Sequence, residues 1–137
     1  RAEAFAQLGN TTEAMALVNQ IRSRAAASTQ MIANYPSKYG VKLYCKNYTG
    51  SYDKEQTIKI VKMERRLELA MESERFFDLV RWGEAAQTLN NYYATEKTKC
   101  TVYGEAEFTA NKGEYLPIPF AQVAASNGHY TQNIGNW

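Results

Sequence analysis

The chain is short of the residues that carry most enzyme chemistry. It has a single histidine, two cysteines and three prolines in 137 residues. His129 stands alone in a turn beside Gly128, so neither a Ser-His-Asp nor a Cys-His arrangement can be assembled around it. Cys45 and Cys100 are too few and too far apart for a zinc site. A disulfide between the two loops that hold them is open only to a chain in an oxidising compartment, and the sequence does not fix its geometry. The glycines are scattered, none between a strand and a helix start, which excludes a phosphate-cradling loop. Apolar runs last only a few residues, too short to span a bilayer as a helix, and no signal peptide is visible. No basic block interrupts a net charge of +2, which gives no argument for nucleic acid. Nothing asks for a cofactor.

What is present is the composition of an ordinary globule, 45% hydrophobic and 22% charged, in a chain long enough for one domain with a core. It opens at Arg1 inside a helical pattern without Met or cap, as a piece preceded by further chain would. Its organising stretch is 57–83, TIKIVKMERRLELAMESERFFDLVRWG. On a helix, Ile60, Met63, Leu67, Ala70 and Met71 share one side, and Ile58, Leu69, Phe76 and Val80 share another. Two stripes predict a central helix packed on more than one face. Phe76, Phe77 and Trp82, beside Leu79 and Val80, are read as core rather than as a sugar platform. Glu64, Glu68 and Glu72 follow each other at four-residue steps and repel by roughly 0.2–0.5 kcal/mol per pair, so their relief must come from outside that row. Arg65, Arg75, Asp78 and Arg81 supply an alternating ladder of ion-pair partners. Carboxylates in one row on one helix cannot flank a glycosidic bond, which needs two groups facing each other at about 5–9.5 Å.

Upstream, residues 1–27 read as a helical hairpin. Ala4, Phe5 and Leu8 mark the buried side of the first arm, and Ala14, Leu17, Val18, Ile21 and Ala25 continue at helical spacing in the second. Gly9 closes the first helix, and Asn10 with Glu13 has the capping-box spacing that opens the next. From 28 to 56 the periodicity fades, with Pro36, Gly40 and Gly50 among tyrosines at 35, 39, 44, 48 and 52. Tyrosine offers a flat apolar ring with a polar tip, the chemistry a sugar ring needs, which makes Tyr44, Tyr48 and Tyr52 candidate ligand contacts. The other reading is that these tyrosines simply cover the helices beneath. Downstream of 83 the helical pattern runs to Leu89, with Asn90 and Asn91 ending it. Residues 92–114 are an exposed loop or a small hairpin.

The run ERRLELAMESERFFDLVRWG resembles the signature helix region of the SusD/RagB family, outer-membrane nutrient-capturing lipoproteins. Ser73 stands where that family often has Gly, so the turn between two helical halves is expected to be tighter or absent. The tail EYLPIPFAQVAASNGHYTQNIGNW, 115–137, resembles the family's ending: an LPIP phrase, a short helix and a QN-x-G-aromatic close. Pro117 and Pro119 hold the backbone extended around Ile118, as a strap along the body. The hairpin resembles a tetratricopeptide-type unit, which such proteins carry, and one hairpin cannot bury its own apolar face. The resemblance implies the C-terminal part of a SusD-like protein: mainly α, a tetratricopeptide-type helical hairpin plus the signature helices at 57–90, with long irregular loops. It further implies a non-catalytic protein that holds an oligosaccharide for a SusC-like TonB-dependent transporter. Such a protein sits at the cell outer membrane through a lipid anchor upstream of this chain. The alternative is a tetratricopeptide-type scaffold for a peptide or protein partner.

Overall fold

The computed structural model describes residues 1–27 and 45–133, and the chain forms two units, Arg1–Ala70 and Met71–Trp137. Among the described residues the regular elements are all helical. Tyr35, Tyr39 and Tyr44 of the tyrosine-bearing stretch, and the last four positions of the family-like tail, lie outside them.

In the first unit, α1 (Ala2–Leu8) and α2 (Thr11–Ala27) form the predicted hairpin and α3 (Lys54–Glu68) packs on both. Gly9 takes φ 84, and the N–H groups of Gly9 and Asn10 reach back to the carbonyls of Ala6 and Phe5 at 3.1 and 2.9 Å. Those two bonds satisfy carbonyls the helix end leaves open, and glycine takes the left-handed turn at no steric cost. Ala6 and Ala14 are fully buried, so the small side chains let the helices close on Met15, Val18 and Val61. α3 starts at a capping box: the Asp53 carboxylate accepts from the Gln56 N–H at 2.8 Å, and the Gln56 side chain accepts from the Asp53 N–H at 3.2 Å.

The stretch 57–83 departs from the single two-striped rod. α3 buries one face, Thr57, Val61 and Glu64, at helical spacing, while Met63, Leu67 and Met71 are exposed. The chain turns after Glu68, with Met71 at φ 69 and Ser73 at φ 65, before α4 (Arg75–Arg81) begins. The turn is therefore present despite Ser73, and it takes residues past it off the cylinder that would have aligned the stripes. Phe77 and Phe76, both expected in the core, are 67% and 37% exposed, although Phe76 meets the Phe108 ring edge-on at 6.1 Å.

In the second unit, α4 is followed by α5 (Ala85–Glu96), a 3-10 turn at Thr101–Tyr103 and α6 (Phe120–Ala125). Gly83, at φ 70, closes α4: its N–H donates to Val80 at 3.0 Å and that of Glu84 donates to Leu79 at 2.8 Å. Leu79, Ala85 and Phe108 make the core, with Val80, Ala86, Leu89 and Tyr93 against it. A Cβ at Gly113 would come within 2.7 Å of the Phe108 ring, so only glycine lets the chain lie on that face. Asn90 and Asn91 do not end α5, which runs on to Glu96.

Asn90 does something else. Its side-chain amide donates to the Phe108 carbonyl at 3.0 Å and accepts from the Phe108 N–H at 2.8 Å. Asn19 pairs in the same two-way manner with the backbone of Tyr48, at 2.9 and 2.9 Å, and Gln132 with that of Ile118, at 2.8 and 2.7 Å. An amide carries a donor and an acceptor side by side, so one side chain reproduces a rung of a strand ladder, where no strand occurs among the described residues. The Gln132 clamp, joined by a bond from the Asn133 side chain to the Leu116 carbonyl, fixes the Pro-bracketed strap.

Candidate functional site

On α2, Asn19, Arg22 and Ser23 share one face and hold the segment that enters α3. Asn19 grips Tyr48, Ser23 and Asn47 exchange a bond at 3.0 Å, and the Arg22 Nε donates to the Lys46 carbonyl. The Arg22 guanidinium also lies over the Tyr48 ring, 4.7 Å from its centre, and pairs with Glu64. The Tyr48 hydroxyl donates to the same Glu64 oxygen at 3.2 Å. Burial, then the charge and hydrogen bond of Glu64, push the Tyr48 phenol above its ordinary value. Tyr52 meets Tyr48 edge-on at 5.9 Å, and Gly50 backs the Tyr52 ring.

Of the candidate tyrosines, the structure brings Tyr48 and Tyr52 together, and Tyr44 lies outside the described residues. Both rings pack against the core of the first unit rather than standing as an open platform. The geometry thus matches the covering role for Tyr48, whose ring is engaged by Arg22 and Tyr52.

Two members of the glutamate row find relief across the helix pair, Glu64 with Arg22 and Glu68 with Arg24, and Glu72 lies past the end of α3, in the turn. One predicted ladder pair is Arg81 with buried Asp78, at 3.1 Å. Arg75 and Arg81 stand 5.8 and 5.3 Å from the Trp82 ring centre. Cys45 and Cys100 are free thiols, and no cluster of metal-ligating side chains occurs among the described residues. Beside α1, α2 and α3 runs a cleft of about 370 Å³ with Leu17, Val18, Ile21, Val61 and Leu69 in its lining.

Sequence reasoning missed the amide clamps and Arg22. The spacing of Asn19, Arg22 and Ser23 was the available signal: a polar stripe beside the apolar one on α2 must be satisfied by something.

The SusD family model matches residues 1–137, the whole chain. The chain belongs to the SusD family. It is also similar to SusD-like protein P38 of Formosa agariphila, at 35% identity over 89 residues. That match covers 65% of this chain and 16% of the relative, so the chain spans a small part of that protein's length. Its mainly helical architecture agrees with a SusD-like fold. No helix among the described residues is long and apolar enough to cross a membrane.

Proposed function

We propose that this SusD-family chain is the C-terminal part of a non-catalytic protein. It binds glycans at the outer membrane and hands them to a SusC-like TonB-dependent transporter. The family match along all of 1–137 carries this reading. On it, the protein is surface-exposed and lipid-anchored upstream of this chain, and binding works by ring stacking and hydroxyl hydrogen bonds at moderate affinity, so that cargo can be released. Within the tyrosine segment, Tyr48 secures the chain on α2 and α3, and ligand contact falls to Tyr44 and the accessible part of Tyr52.

The second reading, a tetratricopeptide-type scaffold for a peptide, draws on the α1–α2 hairpin with α3 and the apolar cleft beside them. Calorimetry of the intact protein against oligosaccharides and against peptides separates the two. Heat from an oligosaccharide supports glycan capture; heat from peptides alone replaces it with the second reading.

A further inference from the structure

The second unit holds a cleft of its own. It measures about 460 Å³ and lies between one face of α5 with its C-cap and the segment 104–107. That volume falls in the range of about 300–1,000 Å³ usual for small-molecule sites. Asn90, Tyr93 and Lys97 line one wall, at helical spacing, and Glu105 and Glu107 line the other.

Two features make the cleft preformed. Asn90 clamps the backbone of Phe108 at 3.0 and 2.8 Å, and Phe108 is buried in the core beside Leu79 and Ala85, which fixes where the segment leading to it lies. Tyr93 is packed on that core and stacks on Tyr103, centroids 5.8 Å apart at 18°, while Tyr92 braces both rings edge-on at 6.0 and 5.7 Å. Little ordering would remain to be done when a ligand enters, which is the condition for affinity in a small site.

The chemistry of the walls selects the ligand. An ammonium offers donors only, carboxylates accept only, and a phenol does both. Sugar hydroxyls are donors and acceptors at once, so a saccharide can use all of these groups, the Tyr93 hydroxyl among them. Two carboxylates against one ammonium disfavour a ligand carrying its own carboxylate or sulfate. We propose that this cleft is a subsite for a neutral saccharide, formed by Tyr93 and Lys97 on α5 and by Glu105 and Glu107 opposite. The inference rests on the glycan-binding reading and adds a place and a charge class to it.

Lys97, Glu105 and Glu107 are exposed, so their replacement leaves the core untouched. The test is calorimetry of the intact protein with neutral oligosaccharides (laminari-, xylo- and malto-oligosaccharides) and an oligogalacturonide. It compares wild type with Lys97→Ala, with the Glu105→Ala/Glu107→Ala pair and with Tyr93→Phe, melting checked in parallel. Loss of charge-assisted hydrogen bonds should weaken binding of a neutral oligosaccharide about tenfold or more in the glutamate pair, and measurably in Lys97→Ala, at unchanged melting temperature. Wild-type binding that persists within about twofold in all three variants, Tyr93→Phe included, overturns the subsite and leaves glycan capture standing. Preference for the oligogalacturonide overturns the charge class on which the subsite is argued. A wild-type protein that binds no saccharide removes the glycan reading and this inference together. Should the glutamate pair fold poorly, Lys97→Ala and Tyr93→Phe decide the question alone.

Discussion

Arg22 engages three kinds of partner in the first unit: a carboxylate, a carbonyl and an aromatic face. Its pair with Glu64 is largely shielded, with side-chain exposures of 16% and 11%, whereas Arg24 and Glu68 stand at 64% and 34%. Removing one partner of a shielded pair strands the other charge, which costs about 3 kcal/mol or more; exposed pairs are worth about 0–1 kcal/mol. Arg22→Ala should therefore destabilise strongly and Arg24→Ala hardly, as read by urea midpoints. Tyr48 adds a pH term. Its phenol is raised above its ordinary value, so the folded state keeps a proton that the unfolded chain releases near pH 10. That contribution is complete below about pH 10 and is lost as pH climbs through the higher folded value. Tyr48→Phe should lose about 0.5–1.5 kcal/mol at neutral pH, and its stability should fall less steeply than that of wild type between about pH 9 and 11. A parallel decline in both proteins would assign the alkaline loss to other groups.

At the scale of elements, turns and clamps do the work that strands do elsewhere. Ser73 at φ 65 bears a Cβ in a region that costs roughly 1–2 kcal/mol, and Gly83 at φ 70 avoids that cost with open space where a Cβ would go. Ser73→Gly should raise stability by about 0.5–1 kcal/mol after the added chain entropy, and Gly83→Ala should lower it by about 1 kcal/mol, both visible in thermal melts. Asn19→Asp keeps the shape of its clamp but puts an acceptor against the Tyr48 carbonyl. It should cost about 1–3 kcal/mol, and unchanged stability would show that the clamp is dispensable. The hairpin and its Gly9 turn were legible in the sequence, because local geometry sets them, but the buried side of α1 was not: Ala6 is buried, whereas Ala4 and Leu8, expected there, are exposed. The break after Glu68 was not legible in the apolar spacing, which runs through it uninterrupted, and Ser73 in place of the family's Gly argued for a turn that is tighter or absent. Neither was the continuation of α5: Asn90 and Asn91 are weak helix formers, but Asn90 is held there by a bond to Phe108, 18 residues on. The same non-locality hid the role of Tyr48, whose partners lie 29 and 16 residues away.

For the whole molecule, the apolar positions that this chain leaves exposed do not weigh against the family. A chain that spans 16% of its relative cannot be expected to satisfy every apolar position of the signature by itself. The family match extends from one end of the chain to the other, and Glu64 and Glu68 are each tied to an arginine on the neighbouring helix. Capture of a glycan without cleavage is the central claim. Affinity electrophoresis of the intact protein through gels containing a panel of polysaccharides, with released reducing sugar assayed in the same gels, addresses it most directly. The account predicts retarded migration on at least one polysaccharide and no new reducing ends; unchanged migration on all of them, or reducing sugar appearing around the protein band, would contradict it.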